Sequence, residues 1–243
     1  MSWSGSTPRN GDQAGPLTEM LKDAKIECPR ESNFYFIPVD AIRKLEEKRP
    51  VREELRRIFP RMDRDPLDHY VHLICTKATR IFAILLASSM DIQEGICDLL
   101  DEGITDVNLP FVRVPLYGVE RGGRSSSSSF TLAKYEHTNC QREGHAGCGI
   151  RALSNWGRFQ IETLSRDQWL ALAPVFRRAS KGIPHYHFED NTVFPFTEDD
   201  ENNNEKLKSG GYSEVWPVRI HPAHQDIIRS SDPSVSSNLN ERV

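Results

Sequence analysis

The sequence predicts a mainly α protein, in which a helical N-terminal module is followed by a small β-containing segment. Three observations predict it. Between Pro66 and Ser88 the apolar residues Leu67, Val71, Ile74, Ala78, Ile81 and Leu85 recur at alternating steps of four and three. That spacing lines one face of a helix with a continuous apolar stripe. Gly122–Ser129 (GGRSSSSS) has the composition of a flexible link. Beyond it, His185–Phe188 and Thr192–Phe196 are short runs of aromatic and β-branched residues that favour strands. The chain thus divides into a disordered tail at residues 1–15 and a helical module at 16–118. A flexible Ser/Gly/His/Cys loop covers 119–150, an α+β segment 151–228 and a second disordered tail 229–243.

In the helical module, Leu17, Met20, Leu21 and Ala24 share a face and predict a short amphipathic helix over Pro16–Ile26. Asn33–Pro38 reads as extended. Asp40 suits the N-cap of a helix over Ala41–Lys48, and Pro50 the first turn of another over Val51–Phe59. Basic residues outnumber acidic ones between Arg43 and Arg64. A solvated face with i,i+4 pairs such as Glu53–Arg57 accounts for them better than a phosphate or lipid surface. Pro66–Ser88 is expected to be the central core helix, with a dimerisation seam as the alternative. Ile81–Ala87 is apolar on nearly every face, yet too short to cross a bilayer, which takes about 20 residues. Asp91 is placed to cap a helix over Ile92–Asp101, which Gly103 ends. Leu109–Pro115 is extended.

In the second half, Phe159–Glu162 suits a strand. Ser165 and Gln168 have the spacing of a capping box for a helix over Arg166–Leu172, stopped by Pro174. Trp169 and Phe176 are expected to be buried anchors.

Bulk properties exclude some function classes. The 243 residues carry a formal net charge of -4, so no global field draws the chain to nucleic acid or to a membrane surface. Five cysteines, an odd number, are scattered along it, and the polar N-terminus lacks the apolar run of a signal peptide. Both point to reduced thiols and an intracellular setting.

Two stretches carry candidate chemistry. His137-x-x-Cys140 and His145-x-x-Cys148 are paired at two-residue gaps, with Gly144 and Gly147 allowing tight turns. Four such ligands would suit tetrahedral Zn²⁺. Against this, the four residues between the pairs make a short middle loop, and a loop with reactive thiols is the alternative.

The second stretch is Ser209–Pro222 (SGGYSEVWPVRIHP), two short runs around Gly210-Gly211. A plain β-hairpin is one reading. The stretch also resembles the start of a protein kinase domain, where a loop of pattern G-x-G-x-x-G-x-V covers the ATP phosphates. Aligned on Val215, Gly210 falls on the second glycine and Tyr212 on the loop tip, while Lys208 and Ser213 replace the first and third glycines. Upstream lie Trp169–Phe176 (WLALAPVF), His185–Phe188 (HYHF), Val193–Phe196 (VFPF) and an acidic run. Arg219-Ile220-His221-Pro222 comes after the hairpin. This order is similar to the N-terminal region of filamentous-fungal protein kinase-like proteins, over about Phe36 to His224 and most specifically from Trp169 onward. The resemblance implies a nucleotide site of Gly210, Gly211, Tyr212, Ser213 and Val215, with ATP and Mg²⁺ as the family's cofactors. After His224 the sequence holds no V-A-I-K, H-R-D or D-F-G, which supply the Lys, the base and the Mg²⁺ ligand of phosphoryl transfer.

The sequence is therefore read as a kinase-like chain cut short after its glycine-rich loop. It is expected to be catalytically silent, to need no cofactor, and to act through a protein partner. The alternatives are ATP-dependent Ser/Thr phosphotransfer by a longer product and a zinc-binding interaction module.

Overall fold

The structure is a computed structural model. It describes residues 15–29, 33–88, 90, 92–115, 130–135, 148–178, 185–197, 208–209, 214–215 and 218–226. Most of both expected tails, the GGRSSSSS link and the acidic run lie outside these residues.

Seven α-helices form the body among the described residues: α1 (Pro16–Asp23), α2 (Val39–Arg43), α3 (Lys48–Ile58), α4 (Arg64–Lys77), α5 (Thr79–Ala87), α6 (Ile96–Asp101) and α7 (Arg158–Asp167). The centre is α5. Every residue from Ile81 to Ala87 is buried, as a helix apolar all round must be, and α1, α2, α4, α6 and α7 all pack on it. Each large side chain so buried contributes about 1.5–3 kcal/mol. No single described helix is long and apolar enough to cross a membrane.

Polar side chains from distant segments close the helix ends, where backbone groups lack intrahelical partners. At the start of α5, Asp106 accepts from the Thr79 hydroxyl and from the N–H groups of Arg80 and Ile81, at 3.0–3.1 Å. At its end, Lys25 Nζ donates to the Ala87 carbonyl at 2.6 Å. At the start of α1, Glu54 accepts from Leu17 N–H and Thr18 Oγ1 and pairs with Arg57. Glu54 is 1% exposed, so its charge is tolerated through these partners.

The expected single helix Pro66–Ser88 is two helices, α4 and α5, bent by 102°. Ala78 takes φ -140 and ψ 32 at the break. The stripe survives because the bend folds both helices around one core: Leu67, Val71, Ile74, Ala78, Ile81 and Leu85 are all buried. The cause is Asp106, which gives α5 an N-terminus of its own.

Other boundaries also shift. α1 ends at Asp23, and Ile26 belongs to a strand. α2 starts at Val39, with Asp40 inside it, and runs into a 3-10 turn at Lys44–Glu46. α3 starts at Lys48, before Pro50. A 3-10 turn, Gln93–Gly95, precedes α6, and Gly103 lies just beyond it with φ +76. Phe159–Glu162 is helical rather than a strand. Ile161 and Leu164 point into the core, Phe159 is 73% exposed, and Gln160 Oε1 accepts from Gly157 N–H at 2.8 Å. Ser165 lies within this helix, so the expected capping box is absent. Gln168 is instead buried, and its amide holds both N–H and C=O of Phe111. Trp169 and Phe176 are only half-buried.

Strands come in two-residue to four-residue pieces. β1 (Ile26–Glu27) pairs antiparallel with β2 (Tyr35–Phe36), and β3 (Val112–Pro115) with β4 (Phe130–Ala133). Further along the chain come β5 (Phe176–Arg177), β6 (Phe196–Thr197), β7 (Lys208–Ser209), β8 (Glu214–Val215), β9 (Arg219–Ile220) and β10 (Gln225–Asp226). Of the strands expected at His185–Phe188 and Thr192–Phe196, neither forms over those bounds; only Phe196 is in a strand, paired through β6 with β9.

Candidate functional site

The Gly-Gly stretch sits between paired strands. β7 and β8 run antiparallel, with Lys208 opposite Val215 and Ser209 opposite Glu214. Gly210, Gly211, Tyr212 and Ser213, which join them, lie outside the described residues, as does the side chain of Val215.

The segment after the hairpin is well tied down. Arg219–Asp226 crosses the surface as a strap whose two ends are strands. β9 pairs antiparallel with β6, and β10 pairs parallel with β5. Between them, Pro222–His224 forms one 3-10 turn, in which His221 Nδ1 accepts from Ala223 N–H at 3.2 Å. His224 is 1% exposed. Its Nε2 accepts from Val39 N–H at 3.0 Å, and its Nδ1 lies 2.9 Å from the Pro174 carbonyl oxygen. A carbonyl only accepts, so Nδ1 carries the proton and the ring is neutral. Phe36 meets both imidazoles edge to face, with centroids 5.4 Å from His224 and 5.9 Å from His221. Burial is the main cause that moves the His224 pKa below the ordinary histidine value. The imidazole therefore nails the strap to α2 on one side and to the Pro174 carbonyl on the other.

Beneath the strap lies a second small core of Cys28, Phe36, Ala173 and Val193, flanked by Ile26 and Trp169. Beside it the rings of Phe176, Tyr186, Phe188, Phe194 and Phe196 form a run of contacts, with Tyr186 stacked on Phe188 and Phe194 on Phe196. Tyr186 and Phe188 are about two-fifths exposed, at 39% and 41%.

A groove of about 930 Å³ runs between β2, β3 and the end of α7, with Trp169 and Val193 on its apolar side. Several of its charged side chains already have partners. Lys25 reaches Ala87, Arg113 donates to Ser165 and stacks over Phe130, and Arg166 meets Asp167. Tyr135 donates to Glu189, which raises the phenol's pKa. The groove was not legible in the sequence, because its walls come from segments far apart in the chain.

Of the expected metal ligands, His137, Cys140 and His145 lie outside the described residues. Cys148 is buried beside β4, 5% exposed. Among the described residues no group of three or more His, Cys, Asp or Glu side chains is placed to hold a metal ion. The thiols of Cys97 and Cys75 are held in the protonated form. Burial pushes Cys97 up to about 12, helped by Asp101 and Asp98, and burial also raises Cys75.

Comparison with known protein families, with curated proteins and with solved structures finds no match to this chain.

Proposed function

We propose that this chain is a non-catalytic, kinase-like scaffold: a helical body that carries a glycine-turn hairpin and acts through a protein partner, in the manner of the N-terminal part of fungal kinase-like proteins. The observation that carries the reading is the strap. The Arg219–His224 stretch, which follows the hairpin in sequence, is tied to the body through β9 and His224. Backbone N–H groups at such a turn can face phosphate oxygens, but phosphoryl transfer also needs a Lys on the phosphates, a base and metal ligands. The 243 residues contain none of the motifs that provide them. Each charge-assisted contact contributes about 1.5–3 kcal/mol, so the hairpin alone is too weak a nucleotide site.

Isothermal titration with ATP·Mg²⁺ and a radiolabelled transfer assay on a generic protein substrate test this. The expected result is no saturable binding tighter than about 1 mM and no transfer. Micromolar binding that disappears in Gly210→Asp would overturn the non-catalytic reading in favour of a working nucleotide site.

A further inference from the structure

We propose that His224 is a pH-operated latch, which fastens the Arg219–Asp226 strap to the helical body at neutral pH and releases it in mild acid. Three geometric facts carry this. First, both ring nitrogens are committed. Nε2 must be bare to accept from Val39, and Nδ1 must be protonated to donate to Pro174. A second proton has nowhere to go but Nε2, where it would meet the Val39 N–H head-on. Second, the ring is 1% exposed, so water cannot solvate the imidazolium in place. Third, the latch lies between the strap's two strands, directly before β10. The strand pairs on either side of it are two residues long each, and His221 N–H on the Pro195 carbonyl adds one backbone tie, so His224 is the strap's main buried anchor.

The charged groups around the ring do not rescue the charged form. Asp40 on α2 favours it, but Arg80 on α5 and the imidazole of His221 on the strap oppose it. The Pro174 carbonyl also favours the cation, and burial outweighs it. The closed-state pKa thus lies below that of the released imidazole, about 6.5. Closure is therefore at full strength above that value and is lost as the pH falls from there toward the closed-state pKa.

The latch is tested by hydrogen exchange on the full chain at about pH 7.5 and about pH 5.5, corrected for intrinsic exchange rates, and read at the Val39 amide and across Arg219–Asp226. For a released imidazole of ordinary pKa the strap's opening constant should rise between these conditions, by at most about tenfold, while α5 keeps its protection. His224→Gln, which can accept from Val39 without titrating, should remove the step, and His221→Gln should leave it. Equal protection at the two conditions, a step that persists in His224→Gln, or loss of α5 in the same step would overturn the proposal. Should His224→Gln not fold, nitrogen chemical shifts of the wild-type imidazole decide. The expectation is an Nδ1–H tautomer whose further protonation coincides with strap opening. Protonation of His224 with the strap still protected would refute it.

Discussion

Helix α5 and the strap each organise one half of this protein, and they are held by opposite means. α5 is embedded by apolar contact on every side, with seven consecutive buried residues, and polar groups serve only at its ends. The strap buries one imidazole and hangs on two short strand pairs and a few hydrogen bonds, those of His224 and that of His221 N–H to the Pro195 carbonyl among them. Apolar packing is non-directional and spread over many atoms, so no single bond decides it. A strap held by a few directional bonds can be released by changing one proton or one side chain. The difference separates a part that specifies the fold from a part that a few directional bonds fasten to it.

The largest expected effect comes from attacking the body. Ile81→Asp places an unpaired charge at a position with 0% exposure and should cost about 4 kcal/mol or more. A thermal midpoint equal to wild type would show that α5 is not the centre. Next is Glu54→Ala, which removes the acceptor for Leu17 and Thr18 and leaves Arg57 unpaired. It should cost about 3 kcal/mol in denaturant titration, because the helix start loses a charged cap inside the core. His224→Ala should cost about 2 kcal/mol of local stability, raising proteolysis near residues 219–226 while the far-UV helical signal stays. A parallel loss of helical signal would erase the distinction between the halves. The smallest effect is at Gly103, which closes α6 with φ +76 and open space around it. Gly103→Ala should cost about 1 kcal/mol from backbone conformation alone, read as a shift in the denaturant midpoint.

The helical half was largely legible because its signal is local. The stripe from Leu67 to Leu85 is written in consecutive residues, and all six stripe positions are buried. What the stripe could not show was the break at Ala78, since the carboxylate that starts α5 sits at Asp106, 25 to 27 residues away. The same reason explains Phe159–Glu162. Read alone, Phe and Ile favour a strand, but Ile161 and Leu164 are three apart and meet one core. Gln168 has the spacing of a cap, yet its amide is taken by Phe111, 57 residues away. His224 was read only as the end of the resembling stretch and not as a latch: its partners are backbone atoms 185 and 50 residues away, and backbone atoms leave no mark in a sequence. The proposed nucleotide residues remain a matter of sequence, since the structure describes only the β7–β8 pairing around them.

The central claim is that the strap is held independently of the apolar core around α5. Native-state hydrogen exchange in rising denaturant tests it directly, because local and global opening then separate. The expected result is that amides of Ile220 and His224 exchange through a low-energy opening insensitive to denaturant, while those of Phe82 to Leu86 exchange only with global unfolding. A single opening shared by the strap and α5, with the same free energy and the same denaturant dependence, would contradict it.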